Sequence, residues 1–175
     1  MRHFEDDNII HVSGKVDPED DVTTINLELI LADLAMVSKR LETAKRAAKD
    51  VTKKDEAKIA QALQKIEDAL NNNQLASTVN LDDEELRVIK DLRLLTLKPM
   101  LFVFNVAEDQ LGKEITRPSW VPESAPIVQV SAKIESELSE LTDEDAQEML
   151  SDLGQNESGL ARLIKGGYDL LNLQT

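Results

Sequence analysis

The sequence contains no cysteine, which excludes a disulfide framework and any thiolate metal site. Aromatic residues are only 3% of the 175 positions, so the volume of any core must come from Leu, Ile, Val and Ala. No apolar run approaches the roughly 20 residues needed to cross a bilayer. The opening Met1-Arg2-His3-Phe4-Glu5-Asp6-Asp7 is not a signal peptide. Basic charge is in deficit: 20 Lys and Arg against 34 Asp and Glu give a formal net charge of −14. That balance disfavours a broad, nonspecific nucleic-acid surface, because such binding needs clustered cations to displace counterions. The expectation is a soluble, cytoplasmic protein with no membrane partner and no direct sequence-specific DNA binding. What is present suits one domain or two small ones: 41% hydrophobic residues can fill a core, and 31% charged residues suit long solvated helices.

The clearest periodicity is Ile30, Leu34, Val37, Leu41, Ala44, Ala48 and Val51, spaced alternately 4 and 3. This is the seam of one helix laid against another. It predicts a helix over 22–50, roughly 43 Å long at 1.5 Å per residue. Thr52, with Asp55 three residues on, predicts the cap of a second helix. Its own seam is Ile59, Leu63, Ile66 and Leu70, and Asn71-Asn72-Asn73 ends it. The tight connection makes the two helices antiparallel neighbours, a hairpin over 22–72. Asp82 and Glu85 form the pattern of a capping box for a third helix over 82–96. Leu86, Ile89, Leu92 and Leu95 form its apolar face, and Pro99 stops it.

The pattern then changes. Two continuous apolar runs, 100–105 and 126–130, end in Asn105 and just before Ser131. Short uninterrupted runs of this kind suit strands buried on both faces, and their alternation with helices argues for parallel pairing in an α/β sheet. Thr142 caps a following helix that closes at Gly154. Ser158 precedes the last helix, whose apolar positions include Leu160, Leu163, Ile164, Tyr168 and Leu171. Trp120, between Ser119 and Val121-Pro122, is read as packing over the sheet edge. In open α/β sheets ligands bind beyond the carboxyl ends of the strands. Those ends carry Asn105-Val106-Ala107-Glu108 and Ser131-Ala132-Lys133.

This pair resembles the base-recognition loops of P-loop GTPases, N-K-x-D and S-A-K. In those loops the Asp accepts two hydrogen bonds from the guanine ring N–H and amino group. The Asn ties neighbouring loops together, and the S-A-K amide meets the guanine carbonyl oxygen. Here Val106 replaces the Lys and Glu108 replaces the Asp. The departure resembles the YchF (Obg-like ATPase) family, whose members look like GTPases but favour ATP. The likeness runs through Phe4 to Val12, Gly14-Lys15-Val16-Asp17-Pro18, Leu31-Ala32-Asp33-Leu34, Leu94-Leu95-Thr96, Lys98-Pro99, Ser131-Ala132-Lys133-Ile134-Glu135 and Glu157-Ser158-Gly159-Leu160.

The resemblance implies an α/β fold: part of a P-loop NTPase parallel sheet carrying an inserted antiparallel helical coiled-coil hairpin. It divides the chain into 1–21 and 97–175, parts of the nucleotide-binding domain, and 22–96, the coiled-coil insertion. It assigns Asn105, Val106, Glu108, Ser131, Ala132 and Lys133 to the nucleotide base, with no catalytic residue in this stretch. ATP or GTP and the ribosome are the implied partners, and magnesium the cofactor of the longer protein, with none expected in this chain alone. No G-x-x-x-x-G-K-[ST] occurs in the sequence, and in Ser13-Gly14-Lys15 the residue after the Lys is Val16. The expectation is therefore a central segment, inactive alone, whose phosphate-binding loop lies upstream. The alternative is a coiled-coil interaction module that binds the ribosome or another translation component without nucleotide. The basic residues Lys39, Arg40, Lys45, Arg46, Lys49, Lys53, Lys54 and Lys58 read most simply as solvated faces of the hairpin. His3 and His11 have no spacing that fits a metal geometry. Asp82-Asp83 and Glu84-Glu85 are helix-start residues favoured by the macrodipole rather than a catalytic dyad.

Overall fold

The computed structural model describes residues 17–50 and 52–173. The stretch Phe4 to Val12 that carries part of the family likeness, His3, His11 and Val51 lie outside them. Two compact units divide the chain: Val22–Lys98, and the segments on either side of it.

In the first unit, α1 (Pro18–Ala47) opens with Glu19, Asp20 and Asp21 and closes with Lys45 and Arg46. Both sets of charges oppose the partial charges of the helix ends. Ile30, Val37, Leu41 and Ala44 are buried on one stripe, with Leu34 packed beside them. The helix ends at Ala47, three residues before the expected 50, and Ala48 lies in a turn. The next helix, α2 (Lys54–Asn71), has Lys53 at its N-cap position and no side-chain cap. The expected cap, Thr52, is diverted. Its backbone N–H and its hydroxyl both donate to Asp50 Oδ1, at 3.0 and 2.7 Å. Asp50, two residues back, closes a local turn that competes with capping. These two bonds, the hydroxyl's first, hold the Asp50 carboxyl below its ordinary range.

Helix α2 buries Leu63, Ile66 and Leu70 in one core cluster with the α1 stripe. Each such side chain contributes about 1.5–3 kcal/mol relative to exposure. The polar ties show that the helices run antiparallel. Ser38 donates to Glu67 at 2.6 Å, and further along α1 Lys45 donates to the earlier Gln64 at 2.6 Å. Arg40 makes a two-pronged pair with Glu56 at 2.9 and 3.0 Å.

Helix α3 (Asp83–Ile89) starts with the expected capping box: Asp82 accepts from the Glu84 and Glu85 amides, and Glu85 returns to the Asp82 amide at 3.1 Å. It stops at Ile89 rather than at 96. Two single 3₁₀ turns, Lys90–Leu92 and Leu95–Leu97, follow on either side of Arg93, which is left-handed at φ +50°. The turn after Arg93 is held from far away in sequence. The carboxylate of Asp33, on α1, accepts from the Leu95 N–H (2.9 Å), the Thr96 N–H (2.7 Å) and the Thr96 hydroxyl (2.6 Å). Those amides are drawn out of any helical ladder. Leu86 and Leu95, expected on an apolar face, are exposed, while Ile89 is buried.

In the second unit, β1 (Phe102–Asn105) and β2 (Ile127–Val130) pair in parallel, Phe102 opposite Ile127 and Asn105 opposite Val130. Phe102 and Phe104 are buried, and Trp120 lies against both rings with centroids 6.2 and 5.9 Å away. Helix α4 (Ala132–Leu138) leaves the end of β2. Thr142 and Ser158 cap α5 (Asp143–Asp152) and α6 (Gly159–Leu170), and Gly154, at φ +67°, follows α5. Helix α6 approaches β2 through glycine. A Cβ at Gly159 would stand 3.2 Å from the Val130 Cα, and one at Gly166 would stand 3.3 Å from Val128 Cγ2 and 3.0 Å from Leu101 Cδ1. Leu160, Ile164, Tyr168 and Leu171 lie off that contact and are exposed.

Candidate functional site

The parallel register fixes the geometry. With Asn105 opposite Val130, and the Val106 N–H donating to the Val130 carbonyl at 2.9 Å, both chains leave the sheet side by side. The six residues singled out in the sequence, Asn105, Val106, Glu108, Ser131, Ala132 and Lys133, therefore come together at one end of the strands. Val106 and Ser131 are buried. Above them the two loops are joined twice. The Ala132 N–H, in the first turn of α4, donates to Asn105 Oδ1 at 3.0 Å. The Lys133 ammonium donates to Glu108 Oε2 at 2.9 Å. Its bond to Glu108, then the charge of Glu108 and of Glu137, raise the Lys133 pKa above that of a free lysine. Both partners of this pair are open to solvent, so it orients the loops more than it stabilises them.

A second tie supports the first. Glu135, on α4, accepts from the Gly159 N–H at the start of α6 at 2.7 Å. The α4 start is thereby linked to both Asn105 and α6, which limits how far the Ala132 amide can turn. Gln110, Lys113 and Ile115, which the sequence did not single out, line a cavity of about 340 Å³ with Val106, Glu114 and Thr116. Its walls come from an irregular segment with no periodic signal. Their only marker in sequence is position, directly after the Asn105–Glu108 motif. A larger, open concavity of about 600 Å³ runs along α5 and is lined by Asp143, Glu144, Glu148 and Asp152 with Gln147 and Ser151. Its carboxylates repel phosphate, so it does not suit a nucleotide.

Glu108, a carboxylate at this end, is occupied by Lys133, and among the described residues no group of three or more His, Asp or Glu side chains is arranged to hold a metal ion. Also among the described residues, no helix is long and apolar enough to cross a membrane.

No protein-family model matches the chain. Individual proteins do. It is 46% identical over 182 residues to the ribosome-binding ATPase YchF of Bacillus subtilis, with all of this chain and 50% of that protein aligned. It is 44% identical over 179 residues to the protein of the same name from Haemophilus influenzae, covering 49% of it. Among solved structures, that of the Schizosaccharomyces pombe YchF GTPase superposes on 98% of this chain and 48% of its own, with a TM-score of 0.82 and 28% identity. The chain spans about half the length of the curated relatives it matches, and with end-to-end alignment at this identity it belongs to the YchF family.

Proposed function

We propose that this chain supplies the base-recognition half of a ribosome-binding ATPase, with Asn105, Val106, Glu108, Ser131, Ala132 and Lys133 forming the base pocket. The observation that carries the reading is the pair of cross-loop bonds, Ala132 N–H to Asn105 and Lys133 to Glu108. They bear directly on base choice. Guanine needs a donor for its carbonyl oxygen and an acceptor for its N1–H and amino group. In a GTPase-like loop those would be the Ala132 amide and the carboxylate at position 108. Here the amide is already committed to Asn105 and the carboxylate to Lys133. Guanine binding would have to break both bonds or leave its own polar groups unpaired, and unpaired buried polar groups are the strong form of discrimination. Adenine has neither the carbonyl oxygen nor the 2-amino group, so it asks for neither bond to be broken. The neighbouring cavity beside Val106 provides room for a planar ring.

On this reading the finer architecture follows the family: 1–21 and 97–175 belong to a P-loop NTPase sheet, and 22–96 is an inserted antiparallel coiled-coil hairpin. Magnesium and the triphosphate are held by residues of the longer protein, which acts in the cytoplasm on the ribosome. The chain itself contains no G-x-x-x-x-G-K-[ST]. Positioning and charge stabilisation at the phosphates supply nearly all of phosphoryl-transfer catalysis, so no turnover is expected from this chain by itself. A second reading, an interaction module independent of nucleotide, draws on the α1–α2 pair alone and leaves the two cross-loop bonds without a role.

The test is base selectivity. This chain would replace the corresponding half of a full-length YchF, and dissociation constants for ATP and GTP would be measured at fixed magnesium. Glu108→Asp shortens the side chain by one methylene, withdraws it from Lys133 and presents a carboxylate at the distance guanine requires. The ratio should shift toward GTP by about 5- to 150-fold, the equivalent of one recovered hydrogen-bonded pair at about 1–3 kcal/mol. An unchanged ratio in a folded variant that still binds ATP would remove Glu108 from base choice.

A further inference from the structure

Helix α4 carries both cross-loop donors, the Ala132 N–H and the Lys133 ammonium, yet it is only seven residues long. A helix of that length does not hold itself in water, so the aim of its donors is set by what it is fastened to. Ile134 is its buried side chain. An apolar contact fixes how deep the helix sits but not its rotation about its own axis, because burial is non-directional. A directional tie comes from Glu135, whose Oε1 accepts from the Gly159 N–H at 2.7 Å. The start of α6 is shaped for that bond. Ser158 Oγ accepts from the Ala161 N–H at 3.1 Å, which satisfies one orphan donor of the helix start and leaves that of Gly159 to be met from outside α6. Gly159 is buried, so an unpaired N–H there would be costly. Glu135 supplies the acceptor and sets its charge against the positive end of α6.

The missing side chain at 159 belongs to the same contact. A Cβ there would stand 2.9 Å from Glu135 Oε1 and 3.2 Å from the Val130 Cα. Val130 lies opposite Asn105, and its carbonyl accepts from the Val106 N–H. The start of α6 therefore touches both the strand end and the helix that carry the base loops. We propose that Glu135 is a positioning residue that sets base choice: bonded to Gly159, it holds α4 in the rotation that keeps the Ala132 N–H on Asn105 and away from the guanine carbonyl oxygen. The inference rests on the base-pocket reading above. Without the carboxylate, α4 is free to turn about Ile134, and the Ala132 N–H can leave Asn105 to meet guanine. Adenine has no carbonyl oxygen and gains nothing from the released donor. A merely structural role for Glu135 would weaken both nucleotides alike, whereas a released donor changes their ratio.

The experiment uses the same chimera, in which this chain replaces the corresponding half of a full-length YchF. Kd values for ATP and GTP are measured at fixed magnesium for wild type, Glu135→Ala, Glu135→Gln and Glu140→Ala. Glu140 is exposed in the turn after α4, and its substitution removes the same charge. Glu135→Ala should move the ratio toward GTP by about 2- to 30-fold, the span expected of residues that act through a connected network without touching ligand. Glu135→Gln keeps the Oε1 acceptor and should hold the wild-type ratio, as should Glu140→Ala. In the 175-residue chain itself, NMR should show the Ala132 N–H exchanging with deuterium faster in Glu135→Ala than in wild type. Circular dichroism checks folding. Glu135→Asp, whose carboxylate stops one methylene short of Gly159, replaces Glu135→Ala if the latter does not fold, and should act in the same direction. Equal weakening of ATP and GTP, a shift toward ATP, or an unmoved Ala132 exchange rate would each overturn the proposal. So would Glu135→Gln or Glu140→Ala shifting the ratio as far as Glu135→Ala does. Glu108→Asp separates this inference from the reading beneath it. A shift there with none in Glu135→Ala removes Glu135 alone, whereas no shift in either removes the base pocket and this inference with it.

Discussion

Asp33 sits in the middle of α1 with 1% of its surface exposed, an unusual place for a carboxylate. It is tolerated because three donors converge on it, from Leu95 and twice from Thr96, residues 62 and 63 positions away. Replacing it with alanine removes all three bonds at once. A hydrogen bond to a charged group contributes about 1.5–3 kcal/mol, and a buried donor left unpaired costs about 1–3 kcal/mol. The Thr96 N–H and hydroxyl are buried, so they bear that cost; the Leu95 amide belongs to an exposed residue and can turn to water. Against the loss stand the relief of desolvating a carboxylate and the better helix propensity of alanine, at most about 0.7 kcal/mol. The net expectation for Asp33→Ala is a destabilisation of about 2–4 kcal/mol. Asp33→Asn keeps one acceptor but turns an amide N–H₂ toward a donor, and should fall between Ala and wild type. Thr96→Val removes the hydroxyl donor alone and should cost about 1 kcal/mol.

The assay is urea unfolding followed by circular dichroism at 222 nm, to which α1, α2 and α3 contribute most of the helix, together with Trp120 fluorescence, which reports the unit containing the sheet. A double-mutant cycle of Asp33→Asn with Thr96→Val should give a coupling above about 0.5 kcal/mol, as contacting residues do. Asp33→Ala costing under 0.5 kcal/mol, or a cycle with no coupling, would refute the reasoning, because neither can happen if the carboxylate holds the Leu95–Leu97 turn.

Three further outcomes follow from the same geometry. Lys133→Gln in the full-length chimera frees Glu108 and should raise GTP affinity relative to ATP; and because the pair raises the Lys133 pKa, its contribution is complete below the ordinary lysine pKa and lost only as pH climbs through the raised value, so base selectivity should be flat from pH 6 to 9 when dissociation constants are measured across that range. Arg40 lowers the Glu56 pKa, chiefly by its hydrogen bond, so the stabilisation is present above the ordinary glutamate pKa and lost as pH falls below it; Glu56→Gln should cost about 0.5–1 kcal/mol at pH 7, as part-exposed pairs do, with the gap to wild type closing in urea titrations carried below pH 4. Gly166→Ala, whose Cβ would meet Leu101 and Val128, should destabilise by about 1 kcal/mol, whereas Gly167→Ala, which meets nothing within 4 Å, should stabilise by about 0.5–1 kcal/mol through helix propensity alone; equal thermal shifts in the two would deny the close approach of α6 to the sheet.

Local periodicity made the helical seams and the strands legible. Ile30, Val37, Leu41, Leu63, Ile66 and Leu70 were marked by 4-3 spacing and are buried together, and two unbroken apolar runs predicted parallel pairing that the register displays. What stayed illegible depends on partners distant in sequence or on competition between near-equal local bonds. The 3₁₀ turn over Leu95–Leu97 is illegible because nothing within 82–96 reveals that Asp33 claims the Leu95 and Thr96 amides. The cap of α2 is illegible because the Thr52 side chain either donates to Asp50 or turns to accept from the α2 amides, and sequence gives no weight to either. Exposure of Leu160, Ile164 and Tyr168 was hidden because α6 meets β2 through glycine, which periodicity scores as a gap in an apolar face. The candidate site lies between these cases. Its residues were found as motifs, but their bonds are a consequence of register: Asn105 opposite Val130 places Ala132 within reach of Asn105 Oδ1 and Lys133 within reach of Glu108. A one-residue slip would turn every side chain of one strand to the other face, carrying Phe104 out of contact with Trp120 and Asn105 away from the α4 start. Burial of the phenyl rings on β1 thus does for the site what the motif cannot do alone, since it is the packing that holds the two loops in step.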